Sequence, residues 1–243
     1  MLAVGVDGCR AGWVAAAAYA GSAELRTELR MFDSFADLLE WASEYAPEVR
    51  VTVDVPIGLP DQVAPRSCDK EARARLGPRR GSVFAPPARY LLGAADYSEI
   101  QARVAAWRLD TGVEKGGGLS QQGFGILPKV QEVDDLMLAE PEREKWVGEV
   151  HPEVSFLSLV GHPLAPKASP VGLAHRFAAC RSSFPDLDQS IADSQFVTSV
   201  VALDDVLDAY AALWTALRWR DGNAEVLGGE ETDSRGLLMR MLV

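Results

Sequence analysis

Apolar and polar positions change period along this chain, and each change marks an element. Residues 2–7 and 12–19 are apolar runs of strand length, separated by Gly8 and Gly12, which suit a tight reversal. From about 23 to 32, Leu25, Thr27, Leu29 and Met31 alternate with Glu24, Arg26, Glu28 and Arg30, the period of two that predicts a half-buried strand near a sheet edge. The period then lengthens. Phe35, Leu38, Leu39 and Ala42 recur at helical spacing behind Asp33 or Ser34 as a cap, and Pro47 stops the helix. A fourth apolar run, 49–55, ends at Asp54 and Pro56.

Residues 57–145 break this rhythm with proline, glycine, basic and amphipathic helical stretches, including Pro86-Pro87 and Glu114-Lys115-Gly116-Gly117-Gly118, and read as an inserted cap of helices and loops. The strand pattern returns at Trp146-Val147-Gly148-Glu149-Val150. His151-Pro152-Glu153 and a helix through Phe156, Leu157 and Val160 follow it. A further helix is predicted over Gly172 to Phe184. A long one begins at Asp204 or Asp205 and runs through Val206, Leu207, Tyr210, Leu213, Trp214 and Leu217, and a terminal strand spans about 236–242. The expectation is an α/β fold in a single domain, 1–243, with a mixed five-stranded sheet, flanking helices and the insertion at about 57–145.

Composition narrows the picture. With 243 residues and 48% hydrophobic content the chain can bury one large core. No run reaches the roughly 18 apolar residues of a membrane helix, and the first residues lack a basic leader with an apolar segment, so the expectation is a cytoplasmic protein with no membrane partner. Cys9, Cys68 and Cys180 are odd in number and widely spaced, which predicts reduced thiols and neither a disulfide framework nor a zinc site. A net charge of -11 argues against indiscriminate nucleic-acid binding. The charge is uneven, however. Arg66, Lys70, Arg73, Arg75, Arg79, Arg80 and Arg89 face only Asp69 and Glu71, so this tract is +5 and the remainder -16. It reads either as an anion-binding surface or as the solvated face of a helix.

The chemistry sits at strand ends. Val4-Gly5-Val6-Asp7 and Val51-Thr52-Val53-Asp54 each close an apolar run with a carboxylate. A buried charge there costs several kcal/mol, roughly, if it is unpaired. A divalent cation such as magnesium, held through one or two carboxylates, is the first candidate partner. The alternative is a turn aspartate that caps its own loop.

Three antiparallel strands, a crossover helix and two further strands follow the order of an RNase H-like fold. The segments Gly5-Val6-Asp7-Gly8-Cys9-Arg10-Ala11-Gly12-Trp13, Val53-Asp54-Val55-Pro56-Ile57-Gly58-Leu59-Pro60, Cys68-Asp69-Lys70-Glu71-Ala72-Arg73, Pro128-Lys129-Val130-Gln131-Glu132-Val133-Asp134, Glu149-Val150-His151-Pro152-Glu153-Val154-Ser155-Phe156 and Asp205-Val206-Leu207-Asp208-Ala209 resemble, almost end to end, the domain-of-unknown-function family 429. Its members are described as predicted RNase H-like nucleases. The resemblance implies an RNase H-like sheet and a nuclease activity that is itself inferred from fold.

Such nucleases gather carboxylates from distant segments around two metal ions, which stabilise the attacking and leaving oxygens of an in-line displacement. On that plan Asp7, Asp54, Glu149, Asp205 and Asp208 are the candidate catalytic residues and ligands of Mg2+ or Mn2+, with water as nucleophile. Asp205 and Asp208 share a helix face, and Ala209 and Ala212 are small enough to pack that helix close to the sheet. For Asp205 the alternative is an N-cap. Arg10, Arg79, Arg80, Arg89, Lys129 and His151 are the candidate substrate contacts. His151 reads alternatively as a structural hydrogen-bonding residue, and Glu153 as the start of the next helix. The leading partner is nucleic acid, or else a phosphorylated small molecule. Two other readings remain open: a nucleotide-binding phosphotransferase or ATPase related to the actin-like fold, and a non-catalytic binding protein on an RNase H-like scaffold. A closed pocket under the insertion favours a small substrate, and clustered unpaired acids count against the non-catalytic scaffold.

Overall fold

The computed structural model describes residues 1–21, 25–194 and 200–243. Its centre is one five-stranded sheet. The first three strands, β1 (Ala3–Cys9), β2 (Gly12–Ala20) and β3 (Leu25–Phe32), form an antiparallel meander, and residues 23–24 of the expected third strand lie outside the described residues. Gly12, at φ 142, makes the β1–β2 reversal possible, because a side chain there would be strained and would meet the Phe32 carbonyl. Helix α1 (Phe35–Ser43) starts at Ser34, whose hydroxyl accepts the Asp37 N–H, and leads to β4 (Arg50–Val53). β4 runs parallel beside β1, and β5 (Val147–Glu149) runs parallel beside β4, giving the order β3-β2-β1-β4-β5. This mixed α/β sheet is consistent with an RNase H-like fold.

Strand alternation assigns the two faces. Val4, Val6, Trp13, Ala15, Ala17, Val51 and Val53 point to one side, where they pack on Phe35 and Leu38 of α1. The same side carries Val130, Val133 and Met137 of α4 (Gln121–Ala139). The region 57–145 is therefore not cap throughout. Its last helix closes the core, and Glu132 ties it down by accepting the Trp13 indole N–H at 3.0 Å and the N–H of Phe35. Helices α2 (Ser67–Leu76) and α3 (Tyr97–Thr111) supply the rest of the insertion.

On the opposite face Ala3, Val14, Ala16 and Ala18 pack on Val206, Tyr210 and Leu213 of α8 (Leu203–Arg220). Burying each large apolar side chain contributes about 2 kcal/mol. Contact between α8 and the sheet is unusually close, and glycine is the reason: a Cβ on Gly5 would lie 1.9 Å from the Leu213 nitrogen and 2.2 Å from the Ala209 carbonyl. Thr52, buried on the same face, donates to the Ala212 carbonyl at 2.8 Å. Helices α5 (Pro152–Val160), α6 (Pro170–Ser183) and α7 (Leu187–Asp193) complete this layer.

The chain ends in a short hairpin, β6 (Val226–Leu227) with β7 (Met241–Leu242), rather than in a strand over 236–242. The Asp233 carboxylate takes the N–H groups of Leu59, Arg235 and Leu237 at 2.9–3.0 Å, so these donors serve a side chain instead of a ladder. No helix among the described residues is long and apolar enough to cross a membrane.

Candidate metal centre

The register that builds the sheet also builds an acidic site. Val6 pairs with Val53, and the Asp54 N–H donates to the Val6 carbonyl at 3.1 Å, so Asp7 and Asp54 leave neighbouring parallel strands at the same level. Asp7 shares the pleat of Gly5, and Asp54 that of Thr52; both lie on the α8 face. Close approach of α8 at Gly5 then brings Asp208 to the wall of the same cavity. All three line one cavity of about 640 Å³.

Electrostatics express this crowding. Asp7, 8% exposed, accepts the N–H of adjacent Gly8 at 2.8 Å. Burial holds its carboxyl well above the ordinary range, and the charges of Asp54, Asp208 and Asp205 push it further. Burial also raises Asp54 and lifts Asp208 to about 6, with the ammonium of Lys167 opposing both shifts. Lys167 lies in the loop between α5 and α6, its Nζ 2.9 Å from Asp208 and 3.6 Å from Asp204. Hard oxygen donors that line one cavity and repel one another suit a divalent cation.

Glu149 lines the same cavity but enters it from the other pleat, bound to an arginine. β4 pairs Val53 with Glu149, so Glu149 shares the pleat of Val53 and faces away from α8. Arg66 bonds its two oxygens at 2.7 and 2.5 Å, and the Ile57 N–H donates at 2.8 Å. The same guanidinium bonds Asp69, and it donates to the carbonyls of Ile57 and Gly58. Cys68, Asp69 and Glu149 present ligand atoms within 4.8 Å of one another, a grouping that could hold a metal ion. In this structure both of its carboxylates are bonded to Arg66. Asp205 also stands apart: in the first turn of α8 it accepts the N–H of the N-cap residue Ala202 at 3.3 Å and is not part of the cavity lining, although its charge reaches Asp7.

The cationic candidates divide in the same way. Arg79 lines the cavity, and its Nε is buried with no hydrogen-bond partner among the described residues. Lys129 also lines it, but its Nζ donates to the Gly12 carbonyl at 2.5 Å and sits 4.4 Å above the Trp13 ring. Arg89 is taken up by ion pairs with Asp134 and Asp233, which tie the insertion to the C-terminal segment. Arg10 and Arg80 are exposed and lie outside the cavity lining. His151 caps α5: Nδ1 accepts the Glu153 N–H and Nε2 lies 3.2 Å from the Ser82 carbonyl, which both bonds satisfy with the proton on Nε2. His151 also lines the cavity, so it has this structural role at the site's wall.

Sequence reasoning missed Lys167, Arg66 and Arg176. No periodicity marks Lys167, which lies in an irregular loop. Arg66 was visible only as one member of the basic tract. Arg176 is fully buried and bonds Glu153, a pairing across 23 residues that no local pattern announces.

Residues 5–233 match the family model described as "Protein of unknown function (DUF429)". No curated protein and no solved structure matches the chain.

Proposed function

The chain belongs to the DUF429 family, and from the aspartates gathered at its sheet edge we propose that it is a metal-dependent phosphodiesterase acting on nucleic acid. One observation carries this reading: Asp7, Asp54 and Asp208, from three separate elements, line a single cavity. A non-catalytic scaffold has no use for two buried carboxylates, Asp7 and Asp208, and half-buried Asp54 lining one space, since a buried charge costs several kcal/mol, roughly, without a counter-charge.

Asp7, Asp54 and Asp208 would hold Mg2+ or Mn2+. When bound, such an ion polarises a phosphoryl oxygen and lowers the pKa of its water. The chain's own groups do the rest. Ionised Asp7 and Asp54 accept hydrogen bonds from a water and so orient it. Arg79 has an unpartnered Nε on the cavity wall, suited to a phosphate oxygen. Val83, Pro86, Pro87, Leu119 and Ile126 form an apolar wall that limits water, and Phe84, 60% exposed beside them, offers a face on which a base can stack.

The cavity has the size of a small-molecule site, which spans about 300–1,000 Å³. It suits a nucleotide unit, presented by a single-stranded end, better than a length of duplex. The same closure under the insertion favours a second reading, a phosphorylated small molecule.

The test is hydrolysis of labelled single-stranded and duplex oligonucleotides, mononucleotides and bis(p-nitrophenyl) phosphate with Mg2+ or Mn2+. Cleavage of single strands by the wild type, lost in Asp7→Asn/Asp54→Asn, is the expected result. Hydrolysis of the small esters alone shifts the assignment to the second reading, and no hydrolysis of any substrate contradicts both.

A further inference from the structure

We infer that the ligand-free protein is built to bind one divalent ion, with the ammonium of Lys167 standing where a second ion would otherwise sit. This rests on the metal-dependent reading above. Charge and geometry carry it.

Two divalent ions bring four positive charges, which several free carboxylates must balance. The acids around this cavity are mostly committed. Glu149 lines the cavity from the other pleat, but Arg66 bonds both of its oxygens. Glu153 is paired with buried Arg176. Asp205 accepts the N–H of Ala202 at the start of α8 and is outside the cavity lining. What remains is Asp7, Asp54 and Asp208, and Asp7 is nine-tenths buried with its carboxylate at the cavity surface and only the N–H of its neighbour as partner.

Lys167 meets these three. Its Nζ bonds Asp208 at 2.9 Å, lies 3.6 Å from Asp204, and acts electrostatically on both Asp7 and Asp54. The three uncommitted carboxylates that line the cavity and one ammonium leave two negative charges, which one divalent ion neutralises; Asp204, outside the lining, shares the same ammonium. A second ion would leave the buried site doubly positive, with no further carboxylate free to turn toward it. The lysine side chain is 45% exposed on a loop, so it is a tethered cation at the cavity mouth rather than part of the core. From there three N–H donors can reach phosphate oxygens, a charge-stabilising task that a second metal performs elsewhere.

The experiment is isothermal titration of the full chain with MnCl2 and with MgCl2, without substrate, on the wild type, Lys167→Met and Lys167→Arg. The expected results are one ion per chain for the wild type and for Lys167→Arg. For Lys167→Met we expect at least about tenfold tighter binding, because a nearby positive charge has been removed, together with a second site. Circular dichroism checks that each variant is folded. Two ions bound by the wild type, or a Lys167→Met variant with unchanged affinity and stoichiometry, would overturn the assignment of Lys167 and leave the metal reading standing. No binding by any of the three proteins would overturn both.

Discussion

Replacing Glu149 by Gln should cost stability and leave the metal site intact. The Glu149 side chain is 4% exposed and accepts two bonds from Arg66 and one from the Ile57 N–H. Glutamine keeps the shape but turns one acceptor oxygen into an NH2 group that must face another donor. Hydrogen bonds to charged groups are worth about 1.5–3 kcal/mol, and breaking a buried pair costs about 3–5 kcal/mol. Asp69 remains to neutralise Arg66, so the expected loss is at the lower end, about 2–3 kcal/mol. Arg66→Met leaves both Asp69 and Glu149 buried without a cation and removes donors from the Ile57 and Gly58 carbonyls. It should cost more, about 4–5 kcal/mol. Urea denaturation at neutral pH gives the order, and titration with Mn2+ gives the affinity, which should match the wild type for Glu149→Gln. A Glu149→Gln variant with wild-type stability and no metal binding would refute the reasoning, since Glu149 would then be a ligand held by the ion and not by Arg66.

Other perturbations address the remaining links. Gly5→Ala forces a Cβ into the backbone of Leu213 and Ala209, and should destabilise by about 3 kcal/mol or more with weakened metal binding; an unchanged melting temperature would show that α8 does not rest on that glycine. Burial raises Asp208 from 3.8 to about 6, so the folded metal-free protein holds this proton more tightly than the unfolded chain does. The resulting stability is fully present well below pH 3.8 and lost as pH rises through 6, and about 2 kcal/mol of it falls between pH 4.5 and 7.5, which Asp208→Asn should remove from urea curves at those two pH values; identical pH dependence in the two proteins would contradict it. Phe84→Ala and Arg79→Ala should each weaken binding of a 2-aminopurine oligonucleotide to catalytically dead Asp7→Asn/Asp54→Asn by about tenfold, and Phe84→Ala alone should abolish fluorescence quenching by stacking; equal quenching would place the base elsewhere.

The sheet was legible because its strands announce themselves. Alternation from Leu25 to Met31, the glycines that frame the first reversal and the two runs ending in aspartate specify which strands neighbour which. Asp7, Asp54 and Asp208 followed from that order together with the small residues Ala209 and Ala212 on α8. Glu149 reaches the cavity from the opposite pleat, beside Cys68 and Asp69, a placement that the strand pattern alone did not specify. The residue count to a strand end does not state which face a side chain takes until the partner register, here Val53 with Glu149, is known. The insertion was legible as an interruption but not as core, because the apolar positions of α4 are shared between two contexts: Val130, Val133 and Met137 meet the sheet, while Leu127 packs in the separate cluster around Leu91 and Ile100. Among the cations, composition showed a basic tract. Only tertiary contacts show that Arg66 and Arg89 spend their charge on buried acids while Arg79 has no ion pair among the described residues.

The most direct measurement is the rate of Mn2+-dependent cleavage of an end-labelled single-stranded oligonucleotide by the wild type, by Asp7→Asn/Asp54→Asn and by Glu149→Gln, with circular dichroism confirming that each is folded. The expected result is cleavage by the wild type and by Glu149→Gln, none by the double variant, and none by any protein after chelation. Cleavage that survives in the double variant, or that is absent from the wild type at millimolar Mn2+, would contradict an active site built on these aspartates.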